Sequence, residues 1–266
     1  MNQTEIDKLL NIMQTLRDPE KGCDWDKAQT FKTIVPHTLE EAYEVADAIE
    51  RDNMVDLKDE LGDLLFQVIF YAQMAKEQGL FDFNEVVEGL NNKLVRRHPH
   101  VFSEQKTLTD EELEQQWQAI KDREKAAKPN SPEQPLWHDI PKVLPALTRA
   151  KKVQKRAANL GFDWPDYHGA LEKVSEEVAE VSEALAENPQ SDHSAEEIGD
   201  LLFATVNVAR HAKHDPEQIL RNATDKFVGR FAQVEAVLKQ QGKRLESSSL
   251  EEMDEAWELV KKRAKE

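Results

Sequence analysis

Clustered carboxylates are the side chains of this sequence whose spacing most clearly predicts chemistry. Each half of the chain carries two acidic pairs, and the members of each pair stand three residues apart. Residues three apart on an α-helix project from the same side, so each pair would present two carboxylates together. The acids are Glu41, Glu44, Glu60 and Asp63 in the first half and Glu177, Glu180, Glu197 and Asp200 in the second.

The two pairs of each half would meet if their helices formed an antiparallel hairpin. In such a hairpin, residues at equal distances from the turn lie side by side. The pairs of the first half are equidistant from Arg51-Asp52-Asn53, and those of the second half from Asn188-Pro189, a dipeptide that ends helices for steric reasons. The spacing therefore predicts that four carboxylates converge in each half.

The second helix of each predicted hairpin is apolar on nearly all sides. Around Glu60, only a narrow strip formed with Asp63 and Gln67 is polar, and around Glu197 the other charged member is Asp200. Such a helix is typical of a buried position. The acids are therefore expected on a strip that faces protein rather than bulk water.

Ionised carboxylates on a buried strip repel one another and lose hydration, which is costly unless a positive charge joins them. A divalent cation is the simplest remedy, and all-oxygen ligands favour Mg²⁺ first and Mn²⁺ next. Two alternatives are an ordinary solvated helix face and a structural network of protonated or salt-bridged acids. The duplication of the pattern favours metal binding over both.

Composition indicates a mostly helical protein, since 33% of the 266 residues are charged and only 9 are glycine. The net charge of −17 argues against a general nucleic-acid binder or a membrane-surface protein. No long apolar run occurs, and the first residues are polar and acidic, so neither a membrane span nor a signal peptide is expected. We therefore expect a cytoplasmic location, and the single cysteine, Cys23, has no partner for a disulfide or a zinc site.

A proline-rich segment separates the two halves. Residues 126–147 are expected to form a linker between an N-terminal repeat, residues 1–125, and a C-terminal repeat, residues 148–266. After its hairpin each repeat carries a Lys/Arg pair at i,i+4 and then a tryptophan followed four residues later by lysine. These residues are Lys93, Arg97, Trp117 and Lys121 in the first repeat and Lys226, Arg230, Trp257 and Lys261 in the second.

The recurring basic and aromatic residues would suit a nucleotide beside a metal. A Lys/Arg pair on one helical face can hold phosphate oxygens, and a tryptophan can stack on a nucleobase. The alternatives are surface basic residues that aid solubility and a tryptophan that packs in a core. Recurrence of the whole set in both repeats favours the nucleotide interpretation.

These motifs resemble the MazG family of nucleoside triphosphate pyrophosphohydrolases. The resemblance rests on Glu-Glu-x-x-Glu followed by Glu-x-x-Asp, on residues 93–102, which read KLVRRHPHVF, and on the duplicated layout across nearly the whole chain. It implies an all-α fold related to dimeric dUTPases, with two tandem helical domains whose bundle is completed by dimerisation. It also implies Mg²⁺-dependent hydrolysis of NTPs and dNTPs to the monophosphate and pyrophosphate.

Carried over by position, the resemblance assigns site residues in both repeats. One departure is His37, which stands where the second repeat has Lys173, and another is His193, where a lysine would be expected to touch phosphate. The C-terminal repeat is the expected active site, and the first repeat would hold a second metal set, Glu41, Glu44, Glu60 and Asp63, with Lys93, Arg97, Trp117 and Lys121. The C-terminal assignments are Glu177, Glu180, Glu197 and Asp200 as metal ligands, with Lys173, Glu176, Glu196, Lys226, Arg230, Trp257 and Lys261 around the nucleotide.

Catalysis in such a site would use the metal to lower the pKa of a bound water, with Glu176 or Glu196 accepting its proton. A di-iron carboxylate bundle is a competing class, but it needs Glu-x-x-His pairs, and this chain has none. A non-enzymatic helical scaffold or regulator is the remaining alternative, above all for the N-terminal half. A homodimer is expected, because each half offers more apolar helix surface than one small domain can cover.

Overall fold

The computed structural model describes residues 4–103, 107–127 and 136–264, with the backbone alone at residues 114, 122 and 125–127. Over this part of the chain the regular structure is helical, which confirms the predicted all-α fold. The chain divides into two compact units, Met1–Pro129 and Asn130–Glu266. Residues 128–135 of the expected linker lie outside the described residues.

The N-terminal unit is built around the hairpin of α3 and α4. Helix α1 packs on α4, α5 follows α4 and also contacts it, and α7 comes last. The helices are α1 (Glu5–Leu16), α2 (Asp24–Ala28), α3 (Phe31–Glu50), α4 (Met54–Glu77), α5 (Phe83–Arg97), α6 (Pro99–Phe102) and α7 (Asp110–Ala127).

The C-terminal unit repeats this order with its own hairpin of α9 and α10. Helix α8 packs on α10, the long helix α11 follows, and α12 packs along α11. The elements are α8 (Ala146–Asn159), α9 (Tyr167–Glu187), α10 (Asp192–His211), α11 (Pro216–Gln240), a 3-10 turn (Leu245–Ser247) and α12 (Leu250–Arg263). The repeat read from the acidic pattern is therefore also a repeat of structure.

Hydrogen bonds made by side chains fix the turn between the two helices of each hairpin. The Asn53 side chain accepts hydrogen bonds from the backbone amides of Val55 and Asp56 at 3.2 and 3.3 Å, which caps α4. In the second turn, buried Ser194 donates to the Asn188 carbonyl, while Ser191 caps α10. Both turns lie where the equidistance of the acidic pairs places them.

The buried apolar cluster of each unit joins different helices. In the N-terminal unit, Met13, Ile34, Ile69, Phe70 and Met74 form a buried cluster that ties α1 and α3 to α4. In the C-terminal unit, the corresponding buried cluster joins α11 to α12 and consists of Val234, Val237, Leu238, Ala256 and Val260. The last helix is thus anchored by apolar packing in the C-terminal unit.

The second hairpin helices are not buried on all sides within one chain, contrary to the sequence-based expectation. On α4, Leu61 is 49% exposed, and on α10, Leu202 and Phe203 are 56% and 44% exposed. The apolar residues of these helices therefore form two surfaces. One packs within the unit, and the other is exposed to solvent in a single chain. No helix in the described ranges combines the length and apolar character needed to cross a membrane.

Truncation of the N-terminal core should lower stability strongly. Phe70 is fully buried, so Phe70→Ala should reduce the free energy of unfolding by about 3–5 kcal/mol through lost contacts and a cavity. Urea denaturation followed by circular dichroism measures this, with Val55→Ala as the control because Val55 is 72% exposed. Equal effects of the two changes would contradict the described core.

Candidate metal centres

The C-terminal hairpin brings three carboxylates to one point. Glu177 extends from α9, and Glu197 and Asp200 extend from α10. One oxygen of each lies within 4.8 Å of the other two. Glu180, the fourth acid of the predicted set, lies outside this group of three. We call these three residues the C-terminal centre.

The N-terminal hairpin forms the same arrangement, with Glu41 from α3 and with Glu60 and Asp63 from α4. One oxygen of each again lies within 4.8 Å of the other two, and we call this group the N-terminal centre. Glu44 lies outside it but remains a close electrostatic neighbour. In both hairpins, antiparallel pairing thus joins acids that are distant in sequence.

Crowding of like charges changes the acidity of these groups. Burial, followed by the negative charges of Asp63 and Glu44, raises the pKa of Glu41. Burial and the charges of Glu44 and Asp63 also raise the pKa of Glu60. The protons that such carboxylates hold more tightly are displaced when a cation supplies positive charge.

The same effect reaches Glu180 in the C-terminal unit. Burial raises the pKa of Glu180, Lys173 opposes this shift, and the charges of Glu177, Glu176 and Glu197 add to it. The charges of the C-terminal centre therefore act on the pKa of Glu180, although its oxygens lie outside the group of three.

Glu177 is the most deeply buried acid of the C-terminal centre, with 4% of its surface exposed. Its Oε1 receives the Lys173 ammonium at 2.8 Å. Its Oε2 is buried and has no hydrogen-bond partner among the described residues. A buried, unpaired carboxylate oxygen is costly, and a bound cation would satisfy it. The donor set, three carboxylates from two helices, therefore fits a hard divalent ion.

Lys173 places a positive charge beside the C-terminal centre, through its ion pair with Glu177. Its ammonium also lies 2.8 Å from Glu176, and hydrogen bonds to Glu176 and Glu177 raise the pKa of Lys173. His37, at the matching position of the first half, instead contacts the edge of Trp25 and lies 3.6 Å from Glu40. Within the described residues, no ion pair reaches the N-terminal centre. The two centres thus differ in built-in positive charge.

His193 approaches the C-terminal centre from α10. Its Nδ1 lies 3.4 Å from Glu197 Oε1, while more than half of its side chain is exposed. The structure therefore places this residue beside a proposed metal ligand. Glu196, the neighbouring acid, is exposed and makes no ion pair within the described part of the chain.

The aromatic and basic residues after the C-terminal hairpin are divided between packing and open surface. Trp257 is half-buried on the α11–α12 cluster, and its ring lies 5.2 Å from that of Phe227. Lys261 pairs with Glu258 at 2.7 Å. Lys226 and Arg230 lie on α11, and their side chains make no ion pair or hydrogen bond with the described residues.

The corresponding N-terminal residues come together more closely. The Arg97 guanidinium lies 5.3 Å and the Lys121 ammonium 5.1 Å from the centre of the Trp117 ring. Lys93 is exposed one turn before Arg97 on α5. Three of the four predicted residues, Arg97, Trp117 and Lys121, therefore form one cluster.

Glu124 is a member of this cluster that sequence reasoning missed. Its carboxylate accepts hydrogen bonds from Arg97 at 2.5 Å and from Arg96 at 2.9 Å. Hydrogen bonds from Arg97, and then from Arg96, lower the pKa of Glu124 to about 2. No local motif marks this residue, because α7 carries several acids and the contact spans 27 positions.

Comparison with known proteins places this chain in a family. A model of the MazG nucleotide pyrophosphohydrolase domain matches residues 29–102 and 166–234, segments that contain both centres. The chain is 51% identical to the nucleoside triphosphate pyrophosphohydrolase of Escherichia coli K12 over 263 residues, 98% of each chain. The chain belongs to the MazG nucleotide pyrophosphohydrolase family.

Other MazG relatives extend this similarity. The nucleoside triphosphate pyrophosphohydrolase/pyrophosphatase MazG of Thermotoga maritima is 43% identical over 256 residues, which cover 96% of this chain and 95% of that protein. The nucleoside triphosphate pyrophosphohydrolase of Mycobacterium tuberculosis H37Rv is 36% identical over 140 residues, or 52% of this chain and 41% of that protein. The family resemblance read from the motifs is thereby confirmed.

Neutralising one acid of the N-terminal centre should stabilise the metal-free protein. Asp63→Asn removes one of three clustered negative charges, and we expect the melting temperature in EDTA to rise by about 1–2 °C, since exposed charges are partly screened. Differential scanning calorimetry measures this. Glu88→Gln on exposed α5 removes the same charge away from the centre and should change little; a lower melting temperature for Asp63→Asn would contradict the repulsion.

Proposed function

We propose that this chain hydrolyses nucleoside and deoxynucleoside triphosphates to the monophosphate and pyrophosphate, with Mg²⁺ held by the C-terminal centre. The activity is the one named for the E. coli and T. maritima relatives, which match nearly the full length of this chain. The single observation that supports the site is the buried Oε2 of Glu177, which has no hydrogen-bond partner among the described residues and lies beside Glu197 and Asp200.

Mg²⁺ fits this centre because its ligands are carboxylate oxygens alone, and Mn²⁺ would be the substitute. We assign Glu177, Glu197 and Asp200 as ligands, with Glu180 as the fourth acid of the set. When bound, the ion would neutralise charge on the polyphosphate and lower the pKa of a water molecule. Lys173 would shift between Glu177 and the incoming phosphate, since it already lies among the acids.

The proton of the attacking water requires an acceptor near the ligands. Glu176 and Glu196 are the candidates, because each is adjacent to a proposed ligand in sequence. Glu176 is already paired with Lys173 at 2.8 Å, whereas Glu196 has no ion pair among the described residues. This difference favours Glu196 as the acceptor.

Binding of the triphosphate is assigned to the residues of α11 and α12. Lys226 and Arg230 are free of ion pairs in the described part of the chain, so their charges are available to phosphate oxygens. Trp257 offers an aromatic ring at the same end of the unit and is held by the α11–α12 cluster. Lys261 would add a further positive charge near that ring.

The N-terminal half supports a second candidate function, regulatory nucleotide or metal binding without turnover. The observation that favours it is the pairing of Arg97 with Glu124, which occupies the cation expected to hold phosphate. Its centre, Glu41, Glu60 and Asp63, still offers a metal site. We therefore propose two functional halves, residues 1–125 and 148–266, of which the second is the catalytic one, and a cytoplasmic location where triphosphates are made and used.

Loss of a C-terminal ligand should abolish most activity. Glu177→Ala and Asp200→Ala should each reduce kcat for dNTP hydrolysis by about 100-fold or more at saturating Mg²⁺, while the helical circular dichroism is retained. Pyrophosphate release measures the rate. Glu183→Ala, an exposed acid of the same helix α9, serves as the control. Wild-type turnover in EDTA, or more than about half of it in either ligand variant, would refute the assignment.

Separated halves should differ in activity. We expect residues 136–266 to hydrolyse dNTPs, because the hairpin, α11 and the anchored α12 all lie in that unit. Residues 1–125 should hydrolyse them poorly or not at all. The same pyrophosphate assay on each purified fragment gives the comparison, and an active N-terminal fragment beside a folded but inert C-terminal one would reverse the assignment.

The chain should also form a homodimer, since exposed apolar residues line several helices. On α5 these are Val86, Val87 and Leu90, and on α11 Phe227 and Val228 are more than half exposed. Light scattering at micromolar concentration should report a particle of twice 30.5 kDa. A 30.5 kDa particle under those conditions would exclude the dimer.

A further inference from the structure

The end of α5 carries an ion pair that sets the two halves of the chain apart. Glu124 of α7 accepts hydrogen bonds from Arg97 Nη2 at 2.5 Å and from Arg97 Nε at 3.1 and 3.2 Å. Arg96 adds a hydrogen bond at 2.9 Å and an ion-pair contact at 2.7 Å. One carboxylate thus accepts hydrogen bonds from the guanidinium groups of two neighbouring arginines.

This arrangement is the one that Arg97 would offer to phosphate. A guanidinium binds a carboxylate or a phosphate through the same fork of N–H donors. Trp117 and Lys121 belong to the same cluster, since the Arg97 guanidinium and the Lys121 ammonium lie 5.3 and 5.1 Å from the centre of the Trp117 ring. Glu124 is 18% exposed and Arg97 22% exposed, so the pair is partly shielded from water.

The pair persists under neutral conditions. Because hydrogen bonds from Arg97 and Arg96 lower the pKa of Glu124 to about 2, this carboxylate stays ionised at any pH at which the protein would work. The group that competes with phosphate is part of the same chain and never diffuses away. An incoming anion must therefore displace a competitor of high effective concentration.

The C-terminal half lacks this competitor at the matching position. Glu124 stands three residues after the lysine of the Trp-x-x-x-Lys motif, and the residue three after Lys261 is Ala264. A methyl group cannot pair with a cation. Helix α12 is instead held on α11 by Val234, Leu238 and Val260. This attachment leaves Lys226 and Arg230 without an ion pair within the described ranges.

We propose that Glu124 is an internal occupant of the N-terminal phosphate subsite and is the residue that weakens polyphosphate binding in that half. The proposal rests on the proposed function for the role of Arg97 as a phosphate ligand. It assigns to Glu124 an inequality between the halves that adds to the difference in positive charge at their carboxylate centres. The subsite accepts a polyphosphate when this carboxylate is removed or displaced.

The test is anion binding in the full chain with the C-terminal subsite disabled. In a Lys226→Ala, Arg230→Ala background, isothermal titration calorimetry with tripolyphosphate and Mg²⁺ reports the N-terminal subsite. We expect Glu124→Gln to tighten tripolyphosphate binding by about tenfold or more, because the phosphate no longer has to displace a charged carboxylate from Arg97. Glu111→Gln, on the same helix and exposed, should leave the dissociation constant unchanged.

A second variant separates this role from simple docking of α7. Arg97→Ala breaks the same ion pair but removes the phosphate ligand, so it should not tighten binding, and it should cancel the gain when added to Glu124→Gln. Unchanged binding in Glu124→Gln, an equal gain in Glu111→Gln, or a gain that survives Arg97→Ala would overturn the proposal. Pyrophosphate release by the wild-type chain, measured separately, decides the proposed function, since tripolyphosphate binding requires no turnover.

Discussion

Negative charges held close together across a helical hairpin are the constraint on which the rest of this structure depends. Carboxylates within 4.8 Å of one another repel, so something else must hold the helices in place. In the N-terminal unit this is the buried packing of Ile34 against α4 together with the 2.9 Å contact between Thr38 and Tyr71. The free energy gained from this packing therefore has to outweigh the repulsion between the carboxylates. A cation bound at the centre would relieve that repulsion.

The two halves handle this repulsion differently although they share one layout. Lys173 pairs with Glu177 of the C-terminal centre and partly neutralises it, whereas His37 at the matching position contacts Trp25. This difference in positive charge is consistent with the proposal that the C-terminal centre is the one that handles the anionic substrate. The deep burial of Glu177, one oxygen of which has no partner in the described part of the chain, adds to this difference.

The last helix of each unit shows the same divergence. Helix α12 packs on α11 through apolar side chains and leaves Arg230 without an ion pair in the described part of the chain. Helix α7 meets the end of α5 through Glu124, and it meets the segment that follows through the 2.9 Å contact of Gln116 with His100 and the ring contact of Trp117 with His98. In the N-terminal unit, the attachment of the last helix therefore uses Arg97 and Trp117, two of the residues predicted to bind the nucleotide.

Much of the fold and of both centres could be predicted from the sequence, because their determinants are local and periodic. The three-residue spacing of Glu177 and Glu180, the turn at Asn188-Pro189 and the apolar periodicity of the flanking helices depend only on helix geometry. These features, together with the duplication, predict the hairpins and the carboxylate clusters and indicate the family. None of them requires knowledge of how distant segments pack.

Tertiary structure decided what depends on contacts between distant side chains. Spacing cannot show that Glu180 lies outside the group of three, that Leu202 stays exposed, or that Lys173 turns toward Glu177. It also cannot pair Glu124 with Arg97, because any of several acids on α7 could face α5 until the angle and register of the two helices are set. Electrostatic partners are chosen by distances of a few ångströms, and only the packed chain determines those.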